Sequence, residues 1–149
     1  MSVLSRLFAF LVLTSSVSCF ANEKQDVDYI LKEINHYRMT HLRLPLTLNS
    51  KLNQIAKGHS NHMASHAIAV GHQGFEQRFS AIRHEIPNSR QAAENVASGY
   101  RSIDAVVQGW IHSPGHRQNI LGSYNLTGIA ISYDKNHTPY YTQVFAKNH

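Results

Sequence analysis

Two segments decide the fold of this chain: Ala93-Glu94-Asn95-Val96 and, just after Trp110, Ser113-Pro114-Gly115-His116-Arg117. They place an acid, an indole and an imidazole close enough in sequence to share one small pocket. Glu94 lies in a short apolar run that predicts a buried, extended strand. A carboxylate there is either paired or functional, because an unpaired buried carboxylate is costly. The alternative is a structural carboxylate that accepts bonds from backbone N–H groups or from a tyrosine.

His116 has a backbone position that its neighbours specify. Serine followed by proline is typical of a helix start, so Ser113 is predicted to cap with its hydroxyl and His116 to take the third helical position. The positive end of the helix dipole disfavours an imidazolium there, which predicts a neutral imidazole near pH 7. Such a ring can accept a proton or bind a metal. The alternative is that His116 merely completes the cap with Ser113.

Outward from these segments, apolar residues recur at the three-and-four spacing of amphipathic helices. The first helix is predicted from about Gln25 to His41 and the second, capped by Asn49 or Ser50, to about Ala67. A short third helix carries Phe75, Phe79 and Ile82, and a fourth begins near Ser102. The spacing of apolar residues then changes to every second position, at Ile129, Ile131 and Tyr133, as in a β-strand. After a turn, a second strand is predicted from Tyr140 to Phe145. The pattern predicts an α+β fold with a final antiparallel hairpin between helices.

The chain carries eleven histidines, and His59, His62 and His66 share one face of the second helix. That spacing can in principle hold a metal. His59, however, lies on the apolar stripe, which favours a hydrogen-bonded core histidine, and His62 and His66 are predicted at the rim or in solvent. We assign none of the three to the site. His72 follows Gly71, which is predicted to end the second helix in the left-handed conformation.

The N-terminus has the pattern of a secretory signal: Arg6, the apolar run Leu7 to Leu13, and small residues at Cys19 and Ala21. Residues 1–21 are predicted to be removed, leaving residues 22–149 as a single domain, and the apolar run is too short to span a bilayer. The alternative is a lipoprotein acylated at Cys19, which the serine three residues earlier disfavours. The predicted location is therefore secreted or periplasmic.

Composition narrows the class of partner and source. The chain has one cysteine, within the predicted signal, so the mature domain has no disulfide and must rely on packing, which favours a bacterial origin. The net charge is +5, but no run of basic residues forms a stripe that would follow phosphates. Nucleic acid is therefore not an expected partner, and no transmembrane segment is expected.

These blocks together resemble the CAP superfamily, which includes cysteine-rich secretory proteins, venom antigens and plant pathogenesis-related proteins. The resemblance covers nearly all of the mature chain, and the Ser-Pro-Gly-His-Arg form is similar to the bacterial branch. Further blocks are Ile34-Asn35-His36-Tyr37-Arg38, the Ala56-to-Ala64 helix with His59 and Met63, Gly71-His72, and Tyr141-Thr142-Gln143-Val144-Phe145. The resemblance implies a three-layer α-β-α sandwich with a central antiparallel sheet and a cleft.

Animal members hold two histidines and two glutamates in that cleft. By this resemblance His72 matches the first histidine and Glu94 the first glutamate, whereas Ser113 and Tyr140 stand at the other two positions. His116 is expected to supply the missing imidazole from a different backbone position. The candidate site is therefore His72, Glu94 and His116, with His72 and His116 as candidate zinc ligands.

Two functions remain open at this point. The first is a non-catalytic secreted module that binds a small ligand, such as a lipid or a glycan, or an extracellular protein, and that requires no cofactor. The second is a hydrolase, protease-like or directed at the cell wall, in which His72, His116 and Glu94 hold Zn²⁺ or activate water. The chain has no nucleophile elbow and no His-Glu-x-x-His motif. We therefore favour the binding module.

Overall fold

The computed structural model describes residues 14–149, with side chains from residue 22 onward. The predicted signal peptide, residues 1–21, lies outside the described side chains and stays a prediction. The elements in chain order are α1 (Thr14–Thr40), β1 (Thr47–Leu48), α2 (Ser50–Ala64), α3 (Phe75–Glu85), β2 (Gln91–Ser98), α4 (Ile103–His112), α5 (Pro114–Ile120), β3 (Leu126–Tyr133) and β4 (Pro139–Lys147). In this part of the chain, no helix has both the length and the apolarity needed to cross a bilayer.

The four strands form one sheet in the order β1, β3, β4, β2. β4 pairs antiparallel with both β2 and β3, as predicted for the hairpin, and the two-residue β1 adds a short parallel bridge to β3. Asp134 fixes the turn between β3 and β4 because its carboxylate accepts bonds from the N–H groups of Asn136 and Thr138 at 2.8 and 2.9 Å.

Helices cover both faces of the sheet. Alternate side chains of the strands, including Ala93, Ile131 and Phe145, pack with α1 and α4 in one core, in which Trp110 is almost fully buried. On the opposite face Ala92, Ala130, Val144 and Ala146 pack with α2 and α3. Strands buried on both faces explain why the polar–apolar alternation in β3 is weak. The predicted three-layer α-β-α sandwich is confirmed.

The packing of α2 onto the sheet requires a glycine in β3. A Cβ placed on Gly128 would lie 2.1 Å from the carbonyl carbon of Leu52 and 2.5 Å from the backbone nitrogen of Asn53. Atoms of the helix backbone cannot move aside as the end of a flexible side chain can. The bare Gly128 backbone therefore sets how closely α2 approaches the sheet and, with it, the residues that α2 carries toward β2.

The helix caps were predicted with mixed success. Asn49 caps α2 and Ser102 caps α4 through their side chains, as predicted. α2, however, ends at Ala64 and not near Ala67, because His66 takes the left-handed conformation at φ +59° and the Ala67 N–H closes onto the His62 carbonyl. Gly71, with φ +149°, lies beyond that end, so its predicted role as the C-terminal cap is wrong.

Candidate functional site

Glu94 points from β2 toward the layer formed by α2 and α3. It is 4% exposed although it carries a carboxylate, and it sits on the same face of the strand as Ala92 and Val96. Directly opposite it in β4 is Val144. Water cannot solvate the charge at this depth, so the protein has to supply the partners of the carboxylate.

The main partner of Glu94 is Arg78 on α3. Arg78 Nε donates to Glu94 Oε2 at 2.6 Å and Arg78 Nη2 donates to Oε1 at 2.7 Å, a two-point arrangement that matches the shapes of the two groups. Arg78 Nη1 donates to the Gln73 carbonyl at 2.8 Å, which fixes the guanidinium from its other side. Both carboxylate oxygens are therefore held by one cation.

His72 adds a third contact to the same carboxylate. Its Nδ1 lies 3.0 Å from Glu94 Oε1, while 55% of its side chain remains exposed. The His72 carbonyl accepts the N–H of Phe75 at 3.0 Å, so the residue is anchored to the start of α3. His72 thus lies where sequence placed it, beside Glu94, with much of its ring open to solvent.

His59 also adjoins Glu94, although we assigned it no part in the site from sequence. Its predicted burial is confirmed at 2% exposure, and its Nε2 lies 2.8 Å from the Gly71 carbonyl and 3.8 Å from Glu94 Oε1. Burial lowers the pKa of His59, and the nearby Glu94 carboxylate opposes that shift. His59 therefore lies behind the site, inside the core. His62 and His66 are exposed, as predicted.

His116 approaches from the opposite layer, on α5. It is the third residue of that helix, as predicted, and Pro114 is the first. The Ser113 hydroxyl, in contrast, makes no capping hydrogen bond within the described part of the chain, so that prediction is wrong. Ser113 instead ends α4, and its N–H bonds to the carbonyls of Gly109 and Trp110.

The His116 ring is half-buried, with its centroid 6.5 Å from the centroid of Trp110. Among the described residues, its Nδ1 is buried without a hydrogen-bond partner. Burial lowers the pKa of His116, and charge on His72 lowers it further. The direction agrees with the sequence prediction, but the structure attributes it to burial and to His72. His72 contacts Glu94 and the His116 carbonyl accepts a bond from Asn95, so both histidines adjoin neighbouring residues of β2.

Side-chain amides tie α5 to the free edge of β2. Asn119 Nδ2 donates to the Glu94 carbonyl at 3.1 Å and to Asn95 Oδ1 at 2.9 Å, and Asn95 Nδ2 donates to the His116 carbonyl at 3.2 Å. Trp110 Nε1 reaches the Val96 carbonyl at 3.5 Å. The backbone beneath Glu94 and His116 is thus held by Asn95 and Asn119, and Trp110 is structural.

The residues at the other two positions of the animal pattern do not lie beside Glu94. Tyr140 lies on β4 opposite Ser98, and its hydroxyl contacts His66 Nε2 at 3.1 Å. Ser113 forms the junction between α4 and α5. The side chains that meet around the acid are instead Arg78, His72 and His59, with His116 across the strand edge.

The arrangement does not fit a zinc centre. Within residues 22–149, no group of three or more His, Cys, Asp or Glu side chains is placed to hold a metal ion. Glu94 has both oxygens on Arg78, and the Nδ1 of His72 faces Glu94. A cation bound by the same carboxylate would have to lie beside the positively charged guanidinium and compete with it.

Arg78 was not predicted as a site residue. Together with Phe75, Phe79 and Ile82 it completes the i, i+3, i+4, i+7 stripe of α3, so its position on the inner face was visible. A charged residue on an inner stripe requires a buried partner of opposite charge. Glu94, which lies in a strand predicted to be buried, was a candidate for that partner.

The pKa of His116 gives a prediction that NMR can check. We expect its titration midpoint below the ordinary histidine value of 6.5, because burial and His72 both disfavour the charged ring. A histidine with a lowered folded pKa stabilises the fold above its unfolded pKa and loses that contribution as the pH falls. Stability should therefore fall as the pH drops below about 6.5, and less steeply in His116→Gln. A midpoint at or above that value would contradict the burial argument.

The chain is similar in sequence to proteins of Bacillus subtilis. YlbC, an uncharacterized membrane protein of Bacillus subtilis, is 30% identical over 130 residues, which cover 85% of this chain and 34% of YlbC. The chain thus spans about a third of the length of the curated relatives it matches.

Solved structures share the fold. An outer surface protein from Borrelia burgdorferi has a TM-score of 0.73 at 21% identity, covering 85% of this chain and 95% of that one. An extracellular protein containing an SCP domain from Bacillus anthracis has a TM-score of 0.68 at 24% identity, covering 84% and 41%. The model of the cysteine-rich secretory protein family matches residues 31–145, and the chain therefore belongs to the CAP family.

Proposed function

We propose that this CAP domain is a non-catalytic binding module that takes a polar group of an extracellular ligand between His72 and His116. The observation that carries the proposal is the state of Glu94, whose two oxygens are bound by Arg78 at 2.6 and 2.7 Å. A general base needs a lone pair free to face a proton, and a metal ligand needs one free to face the ion. Arg78 and His72 already make three contacts to the carboxylate, which leaves it little remaining capacity to face a proton or an ion.

The two imidazoles remain available for recognition. His72 is largely exposed, and His116 is favoured in its neutral form, which can both donate and accept hydrogen bonds. Glu94, Arg78 and the asparagines hold the surrounding backbone in place before any ligand arrives, which reduces the ordering cost of binding. A polar surface of this kind favours a glycan over an acyl chain as the bound group, with a lipid headgroup or an extracellular protein as other ligands.

The experiment follows the histidine side-chain resonances by NMR while soluble peptidoglycan fragments are added. We expect saturable shifts of the His72 and His116 signals without any product. The double variant His72→Ala/His116→Ala should lose binding, and the control His84→Ala/His112→Ala, which removes two exposed imidazoles elsewhere, should keep it. Shifts that survive in the first variant, or fragments that are cleaved, would overturn the proposal.

Zinc calorimetry separates this proposal from the hydrolase. Because Arg78 holds the carboxylate, we expect the protein and its His72→Ala/His116→Ala variant to give the same Zn²⁺ titration curve. Tighter binding by the unchanged protein, together with zinc-dependent cleavage of casein or peptidoglycan that Glu94→Gln abolishes, would establish the metal-dependent enzyme instead.

A further inference from the structure

The connection between α1 and β1, residues 41–46, displays apolar side chains to solvent. Leu42 is 95% exposed and Leu44 is 83% exposed, and Met39, at the end of α1, is 53% exposed. Single exposed apolar residues are ordinary on protein surfaces. Two leucines that protrude almost completely from one short connection are not, and Leu46 shows that the same segment can bury a leucine, since it is 3% exposed.

The backbone of this connection is fixed. Arg38 Nε donates to the Leu44 carbonyl at 2.8 Å, and the Arg43 N–H donates to the Arg38 carbonyl at 2.9 Å. Asn35 bonds Leu46 twice, through its amide to the carbonyl at 2.9 Å and through its oxygen to the N–H at 2.7 Å. The backbone that carries the two leucines is therefore held in place by hydrogen bonds.

Leu42 also has an unfavourable backbone conformation. Its φ is +58°, in the left-handed region that residues other than glycine, asparagine and aspartate seldom adopt. Such strain persists only where the surroundings impose it, and it is concentrated at functional segments. An asparagine or glycine would fit this position better, so folding alone does not account for the leucine.

The end of the sheet that carries this connection is basic. Strand pairing brings Thr47 beside Leu126 and Gln91 beside Lys147, so Arg43, Arg90 and Lys147 all lie at the same end of the sheet. Among the described residues, none of these three cations has a carboxylate within ion-pair distance. The four strands span about 14 Å across this end, given the usual spacing between strands. The positive charge is therefore spread over a broad face.

We propose that residues 41–46 form a docking element for an anionic membrane surface. Leu42 and Leu44 enter the boundary between headgroups and acyl chains, while Arg43, Arg90 and Lys147 face the lipid phosphates. Apolar insertion combined with nearby cations is the arrangement by which proteins bind the surface of a bilayer without spanning it. The phosphates of a bilayer form a broad plane of negative charge, which can contact all three cations at once. This inference does not depend on the function proposed for the cleft.

Vesicle sedimentation tests the proposal, with all variants exported from a bacterial host and compared at the same N-terminus. We expect binding to vesicles of phosphatidylglycerol and phosphatidylcholine, and little binding to phosphatidylcholine alone. Leu42→Asn/Leu44→Gln should weaken binding at least about tenfold, because it removes the inserted apolar groups. Asparagine suits the left-handed backbone, so this variant is expected to fold normally.

Two further variants sharpen the result. Val70→Gln removes an exposed apolar side chain from the connection between α2 and α3 and should leave vesicle binding unchanged. Arg43→Gln/Lys147→Gln should weaken binding to anionic vesicles about tenfold, by removing two cations near the surface. The proposal is overturned if the leucine variant binds as the unchanged protein does, or if neutral vesicles bind equally well. It is also overturned if sedimentation velocity shows that the leucines hold two copies of the chain together.

Discussion

Replacement of Arg78 by methionine should lower the free energy of unfolding by about 3 kcal/mol or more, the usual cost of leaving a buried charge without its partner. Glu94 is 4% exposed, so water cannot take the place of the guanidinium. His72 Nδ1 remains 3.0 Å from one oxygen and limits the loss. Urea unfolding at neutral pH measures the change.

Two controls separate the lost pair from the lost side chain. Arg83 is an exposed arginine on the same helix, so Arg83→Met should cost well under about 1 kcal/mol, as most surface substitutions do. Adding Glu94→Gln to Arg78→Met removes the stranded charge and should recover most of the stability. Equal losses in Arg78→Met and Arg83→Met would show that the pair adds nothing to the fold.

The fold was predictable because its signals are local. The spacing of apolar residues located the helices, and the change to a period of two near Ile129 located the hairpin. Burial follows the same pattern, since Ile82, Ile129 and Ile131, which lie on the predicted apolar positions, are almost fully buried. The two-residue β1 was not predicted, since its pairing with β3 depends on contacts between residues that are far apart in the chain.

The candidate site was predictable only in part, for a different physical reason. Periodicity tells which face of an element a residue lies on, but it does not tell which residue of another element lies opposite. His59 was placed on the inner stripe of α2, yet its proximity to Glu94 depends on how α2 crosses the sheet at Gly128. Arg78 and Glu94 are likewise brought together only by the packing of α3 beside β2.

Replacement of Arg38 by methionine is expected to be at least as damaging, at about 3–5 kcal/mol, since it removes a buried charge that satisfies several backbone carbonyls. Arg38 is 2% exposed, and its guanidinium donates to the carbonyls of Leu44, Ile120, Gly122 and Tyr124. Burial lowers the pKa of Arg38, and the neighbouring Arg43 adds to that effect. The guanidinium nevertheless stays protonated at neutral pH.

No carboxylate within the described residues pairs with Arg38, so carbonyl dipoles balance its charge. Ile120 is the last residue of α5, where the negative end of the helix dipole favours a cation. Methionine would fill much of the volume but would leave four carbonyls without donors. Lysine would keep the charge, but its compact ammonium cannot span carbonyls that lie on both sides of a planar guanidinium. Arg38→Lys should therefore fall between the methionine variant and the unchanged protein.

Arg43→Met is the matched control, because Arg43 is exposed and lies five residues away in the same region. Chemical unfolding should show little change for Arg43→Met and a large loss for Arg38→Met. Hydrogen exchange should show faster exchange at residues 41–46 and in the segment between α5 and β3, since Arg38 joins the two. If Arg38→Met unfolds within about 1 kcal/mol of the Arg43→Met control, the carbonyls find other donors and the fixed presentation of Leu42 and Leu44 needs another cause.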